Sequence, residues 1–100
     1  PENAAFKQAY AQLAPNARPN MMAAGGYDGM HLIAQMLART NGSEDGERLV
    51  ESAKGLSWTS PRGPVQIDAA SRDIIQDISI RRAERRDGQI WNIEFARIPR

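Results

Sequence analysis

Apolar residues at the start of the chain recur with the period of a helix. Phe6, Tyr10 and Leu13 stand three or four positions apart, which places them on one face of an α-helix. The polar residues between them fall outside that face. We expect this helix to run over residues 2–14 and to end before Pro15, because proline disfavours the helical conformation in the residue that precedes it.

A second helical stretch, from about Met21 to Thr40, repeats the pattern at greater length. Its apolar face carries Met22, Met30, Ile33 and Leu37, with Leu32 and Met36 beside them. Asn20 is the expected N-cap, and Asn41-Gly42 is the expected C-terminal stop. Ser43 is expected to cap a third, shorter helix that ends at Gly55.

The second half of the chain has the pattern of β-structure. Short β-prone runs at residues 56–59 and 64–67 are followed by a turn at 68–72. Two longer β-prone runs then flank Asp87-Gly88. Asp-Gly in that position predicts a hairpin with a type I′ turn, since both central residues of such a turn need a positive φ.

Counting outward from this turn predicts the register of the hairpin. The expected facing pairs are Arg86 with Gln89, Glu84 with Trp91, Arg82 with Ile93, Ile80 with Phe95 and, on the other face, Arg81 with Glu94. The last pair joins opposite charges, which helps to fix the register. One face therefore carries an apolar strip of Ile78, Ile80, Trp91, Ile93 and Phe95, and this strip needs a covering surface.

Length and composition are those of one small folded domain. The chain has 100 residues, of which 41% are hydrophobic and 25% charged, with a net charge of +1 and no cysteine. These values exclude disulfides and thiolate chemistry and give no overall electrostatic reason to expect nucleic acid. The predicted fold class is α+β, a single unit with a helical part at 1–56 and strands and a hairpin at 57–100.

Few side chains suggest chemistry. His31 is the single histidine and has no neighbouring ligands at metal-binding spacing. Asp68, Asp73 and Asp77 lack the glycine-centred loop and closing glutamate of a calcium site, so turn and cap roles are expected for the first two. No catalytic residue and no cofactor are predicted, and the chain is not expected to be an enzyme.

Glycines at Gly25, Gly26 and Gly29 fall near the start of the second helix. They could let backbone amides approach an anion, or they could serve close helix packing or an irregular first turn.

Basic residues cluster on the predicted hairpin, at Arg81, Arg82, Arg85 and Arg86. Together with Trp91 they could bind phosphates and stack on a base. Glu84, Asp87 and Glu94 interleave with them, and a solvated edge that discourages aggregation also accounts for the pattern. We therefore do not expect nucleic acid as a partner, although a small domain that binds protein or nucleic acid through this hairpin stays an alternative.

Several of these segments, in their order, resemble one known family. In the second half of the chain they are Gly63-Pro64-Val65-Gln66-Ile67-Asp68, then Arg72-Asp73 and Gln76-Asp77 before the hairpin. In the first half they are Phe6 and Tyr10 on a helix, the stretch from Pro15 to Pro19, and Gly26-Tyr27-Asp28, which opens a helix that ends at 34–39. The order and spacing are similar to the C-terminal segment of type I periplasmic solute-binding proteins. These are the receptors of branched-chain amino-acid type ABC transporters.

The resemblance implies a parent protein of two α/β lobes that binds its solute between them and closes by hinge motion. It implies capture of an amino acid or similar small polar solute, delivery to an ABC permease, and a periplasmic location. No leader is expected in a C-terminal segment, and none is visible at Pro1.

Tyr27 becomes the main ligand-side candidate and Ala24, one turn earlier, a weaker one, while a plain core role for Tyr27 stays open. Without the rest of the parent, the uncovered hairpin strip predicts a homo-oligomer.

Overall fold

The computed structural model describes all residues from 1 to 100 and contains three helices followed by five strands. The helices are α1 (Glu2–Leu13), α2 (Met21–Arg39) and α3 (Gly46–Ala53), and the strands are β1 (Ser57–Ser60), β2 (Gly63–Ile67), β3 (Ile74–Gln76), β4 (Ile78–Arg86) and β5 (Gln89–Ile98). The predicted α+β class and the order of helices before strands are confirmed.

Helix ends follow the expected capping chemistry at two of three places. The Asn20 side chain accepts a hydrogen bond from the Ala23 amide at 2.9 Å, and Asn41 and Gly42 both have positive φ after the end of α2. The prediction that Ser43 caps α3 is wrong. Asp45 is the N-cap and accepts from the Glu47 amide at 3.0 Å, while Ser43 accepts from the Asp45 amide. A carboxylate also interacts favourably with the positive end of the helix dipole.

A small antiparallel sheet has the strand order β1-β2-β3. The first two strands form a tight hairpin in which Trp58 faces Val65, and β3 pairs with the other edge of β2. The sequence pattern did not predict β3. It has three residues, too few to show a periodicity, and pairing with β2 defines it as a strand. The turn at Asp68 is confirmed, since its carboxylate accepts from the Ala70 and Ser71 amides.

The C-terminal hairpin of β4 and β5 forms a separate two-stranded sheet. Asp87 and Gly88 have φ of 51° and 76°, which confirms the type I′ turn. The predicted register holds from the turn to Arg81 opposite Glu94, but Ile80 faces Ala96 and not Phe95. A bulge between Ile80 and Arg81 leaves one residue of β5 without a partner, so every later pair shifts by one. Counting from a turn assumes a regular ladder and cannot detect this extra residue.

The core is small and is formed by residues from all three helices and from the three-stranded sheet. Nine residues are buried. The apolar ones are Phe6, Ala24, Ala53, Leu56, Val65 and Ile67, and the polar ones are Asp28, Thr40 and Ser60. The hairpin reaches the helical half through Arg18, whose guanidinium lies 4.2 Å from the Trp91 ring centre and donates to the Ile90 carbonyl at 3.1 Å.

The chain exposes more surface than a self-contained domain of its size. Its accessible area is 7381 Å², whereas a compact monomer of 11.1 kDa exposes about 5,700 Å². Its radius of gyration is 16.0 Å, against about 13 Å for a compact 100-residue domain. Large apolar side chains make up part of the excess, among them Leu13, Met21, Met22, Met30, Trp91, Phe95 and Ile98. These faces lack a covering surface within the chain.

We expect the 100-residue chain to form a homodimer or larger assembly at micromolar concentration. Phe95 is 58% exposed beside the other apolar residues of β4 and β5, and exposed strips of this kind drive association. Light scattering should give a mass above 11.1 kDa. Phe95→Ser should lower that mass, while Arg85→Ser, on the opposite face of the hairpin, should leave it unchanged. A wild-type monomer with Trp91 shielded from quenchers would contradict the prediction.

Candidate functional site

Tyr27, the main ligand-side candidate, lies at the surface of the chain on the second turn of α2. Its ring meets the buried Phe6 ring edge-on, with centres 5.1 Å apart, and Phe6 in turn lies 6.0 Å from Tyr10. The side chain of Tyr27 is 46% exposed, and its hydroxyl makes no hydrogen bond. One side of the ring is therefore packed against α1, and the rest is available for contact.

Ala24, the second candidate, lies on α2 one turn before Tyr27 but differs in burial. It belongs to the buried core. The structure thus brings the two candidates onto one helix while giving only Tyr27 an accessible side chain. Contact of a solute with Ala24 stays a prediction.

The three glycines lie inside regular helix, beyond the first turn of α2. A methyl group built at Gly25, Gly26 or Gly29 would meet no atom within 4 Å, so the close-packing interpretation is wrong for this chain. Since each glycine costs a helix about 1 kcal/mol relative to alanine, the segment around Tyr27 has weak intrinsic helicity. Contacts outside the helix must therefore contribute to its order.

The strongest such contact is made by Asp28, a carboxylate that is 4% exposed. Its Oδ2 accepts from Arg62 Nη2 at 2.8 Å, from Arg62 Nε at 3.1 Å and from Ser60 Oγ at 2.8 Å. Its Oδ1 accepts from Trp58 Nε1 at 3.3 Å. We call these four residues the Asp28 network. A buried carboxylate is stable only when it is paired and hydrogen-bonded, and this one is.

Beside the network, a cleft of about 230 Å³ lies between α2 and the three-stranded sheet. Its lining includes Gly25, Gly29, Trp58, Arg62 and Arg72. A second groove of about 340 Å³ continues toward α3 and is lined mainly by apolar side chains. His31 lies against two side chains of this chain. Its Nε2 is 3.3 Å from Gln35 Nε2, and its ring centre is 5.6 Å from the ring centre of Trp58.

No group of three or more histidine, cysteine, aspartate or glutamate side chains is close enough to hold a metal ion. None of the three helices combines the length and the apolar content that a membrane-spanning helix requires.

Most of the basic residues of the hairpin are engaged with carboxylates. Glu84 lies between Arg82 and Arg86 at 3.0 and 3.1 Å, and hydrogen bonds from these two guanidinium groups lower its pKa. Glu94 faces Arg81 but accepts hydrogen bonds from Ser79 and Arg97. These bonds lower the pKa of Glu94, and the bond from Ser79 is the largest cause. Glu84 thus offsets part of the positive charge of the arginine cluster on one face.

Comparison with known proteins assigns the chain to a family. Residues 1–89 match the sequence profile described as periplasmic binding protein. The chain belongs to this family. The resemblance expected from the sequence is therefore confirmed, and the family consists of binding proteins and not enzymes.

Three relatives show the extent of the likeness. A solute-binding protein of an ABC transporter from Rhodopseudomonas palustris BisB5, solved with 3,4-dihydroxybenzoic acid, is 47% identical with a TM-score of 0.86 over 96% of this chain and 26% of that one. A second, from Rhodopseudomonas palustris HaA2 with p-hydroxybenzoic acid, is 36% identical with a TM-score of 0.84 over 99% and 27%. Leu/Ile/Val-binding protein homolog 6 of Brucella abortus (strain 2308) is 43% identical over 95% of this chain and 25% of its own length. The chain thus spans about a quarter of these relatives.

Sequence reasoning did not find the Asp28 network. Asp28 entered only as part of the Gly26-Tyr27-Asp28 motif, Trp58 fell within the β-prone run at 56–59, and no role was predicted for Ser60 or Arg62. One signal was available, because an acidic residue beside the apolar face of a helix needs donors from another element. The sequence could not show which donors those are.

Proposed function

We propose that the protein carrying this segment is the extracytoplasmic solute receptor of an ABC transporter, and that its solute is a small aromatic carboxylate. The observation that carries the proposal is the 47% identity and close structural match to a solute-binding protein holding 3,4-dihydroxybenzoic acid. A second similar structure holds p-hydroxybenzoic acid. On this proposal the receptor acts in the periplasm and delivers its solute to an ABC permease.

A branched-chain amino acid is the second candidate solute. It is favoured by the 43% identity to a protein named Leu/Ile/Val-binding protein homolog 6. The two candidates share a carboxylate and differ in the group attached to it, which is a planar phenol in one and an α-ammonium carbon with a branched alkyl chain in the other. A binding panel separates them directly.

Calorimetry on the full-length receptor tests the proposal. We expect 3,4-dihydroxybenzoate or 4-hydroxybenzoate to bind at micromolar or lower concentration, and leucine, isoleucine and valine to bind at least about tenfold more weakly, a difference of about 1.4 kcal/mol. 4-Hydroxycyclohexanecarboxylate serves as a control that keeps the carboxylate and the 4-hydroxyl and removes the aromatic ring. Tightest binding of a branched-chain amino acid would replace the first candidate by the second.

Tyr27 is the residue of this segment that we propose to contact the solute. Its half-exposed ring and unbonded hydroxyl support the role, since aromatic pairs prefer offset or edge-on contacts and contribute about 0.5–1.5 kcal/mol beyond the area that they bury.

Tyr27→Ala in the full-length receptor is expected to weaken solute binding about tenfold, because the aromatic contact and its buried area are both lost. Tyr27→Phe should weaken binding less, because it keeps the ring and removes only the contact of the hydroxyl. Calorimetry and thermal unfolding are measured on both variants and on Tyr10→Ala, which removes the neighbouring ring of the same cluster. Unchanged affinity in a destabilised Tyr27→Ala protein would make Tyr27 a structural residue.

A further inference from the structure

The segment of α2 that carries Tyr27 has little to stabilise it from its own sequence. Gly25, Gly26 and Gly29 surround Tyr27, and none of them packs closely against another element. The end of α2 has a different composition, since residues 34–39 are alanine, glutamine, methionine, leucine and arginine, all good helix formers. The first half of the helix therefore depends on tertiary contacts more than the second half does.

Those contacts converge on Asp28. It lies next to Tyr27 and one turn after Ala24, and four donor atoms from three side chains of β1 and the turn after it reach its two carboxylate oxygens at 2.8–3.3 Å. The same turn is closed by a bond from the Arg62 amide to Ser60 Oγ at 3.1 Å. Ser60 and Arg62 are thus held in place for Asp28 by the local geometry of the turn.

The geometry also fixes an orientation. Arg62 approaches one oxygen with both Nε and Nη2, and Trp58 approaches the other oxygen. Donors on both oxygens restrict rotation of the carboxylate, and they restrict rotation of α2 about its own axis. Rotation of α2 would move Tyr27, because the two residues are adjacent on the helix.

We propose that Asp28 is a positioning residue, which fixes the Tyr27 turn of α2 against β1 and the β1–β2 turn and so presents Tyr27 to the solute in one orientation. Its effect on affinity rests on the proposed function, whereas its effect on the order of α2 does not. The proposal adds Asp28, Ser60 and Arg62 to the residues that determine binding without touching the solute.

Hydrogen exchange on the full-length receptor tests the positioning step without ligand. Asp28→Asn keeps the size of the side chain but replaces an acceptor facing Arg62 or Trp58 by a donor. We expect faster exchange of the amides of residues 25–31 and unchanged exchange of residues 34–39. Thr40→Val is the matched control, because it removes the hydrogen bond that Oγ1 donates to the Met36 carbonyl at the other end of the same helix. Gly26→Ala added to Asp28→Asn should restore part of the protection.

Affinity for 3,4-dihydroxybenzoate tests the functional step. We expect Asp28→Asn to weaken binding about tenfold, or 1.4 kcal/mol, and Thr40→Val to leave it unchanged at a similar loss of thermal stability. Ser60→Ala removes one donor and gives a smaller effect in the same direction, which keeps the test decisive if Asp28→Asn does not fold. Unchanged exchange in residues 25–31, or unchanged affinity despite faster exchange, would overturn the proposal. A wild-type receptor that binds no member of the panel overturns the proposed function, and exchange still decides the role of Asp28 in ordering α2.

Discussion

Replacement of Leu56 by alanine is expected to lower the free energy of unfolding of the 100-residue chain by about 2–5 kcal/mol, the range measured for buried leucine truncations. Leu56 is 2% exposed, and its amide and carbonyl also link the end of α3 to the sheet through bonds to the Ala53 carbonyl and the Ile67 amide. Denaturant unfolding followed by circular dichroism measures the change.

Because the core is small, this loss is large relative to the total free energy of unfolding of the chain. Single domains are stable by only about 5–15 kcal/mol, and nine buried residues place this chain at the weak end of that range. Leu13→Ala is the matched control, since the same side chain is 88% exposed on α1 and its loss should change stability by less than about 0.5 kcal/mol. Equal effects of the two substitutions would contradict the described core.

The 100-residue chain by itself is expected to bind neither hydroxybenzoates nor amino acids. Small-molecule sites bury about 70–90% of their ligand, whereas Tyr27 faces solvent on this chain and the two clefts described above are open grooves. On the proposed function, the remaining walls of the site belong to the other three quarters of the receptor. Calorimetry at ligand concentrations up to the millimolar range should show heats of dilution alone.

The full-length receptor, titrated with the same panel, provides the positive control for this loss of affinity. Binding by the full-length protein, together with no binding heat from the 100-residue segment, supports a site shared between lobes. Micromolar binding by the segment would mean that the groove beside Trp58 and Arg72 is itself a complete site, and that the site does not depend on a second lobe.

The sequence by itself determined the elements whose signals are local. The spacing of Phe6, Tyr10 and Leu13 predicted α1, and Asn20 marked the start of α2, because helix periodicity and capping involve residues within a few positions of one another. Asp87-Gly88 determined the turn and the inner register of the hairpin for the same reason. The order of these elements was also sufficient to indicate the family.

The tertiary structure decided what depends on residues far apart in the chain. The bulge that shifts Ile80 out of register with Phe95 and the pairing of β3 with β2 each result from a competition between alternatives that the sequence leaves open. The capping of α3 by Asp45 in place of Ser43 is a local choice between two capping residues. The candidate site shows this most clearly. Tyr27 could be selected from its motif, but its half-exposed ring follows from packing against Phe6. Asp28 is hydrogen-bonded by donors that are 30 to 34 residues away in the chain. Those donors converge because a buried carboxylate must be hydrogen-bonded, and only the folded chain brings them within reach.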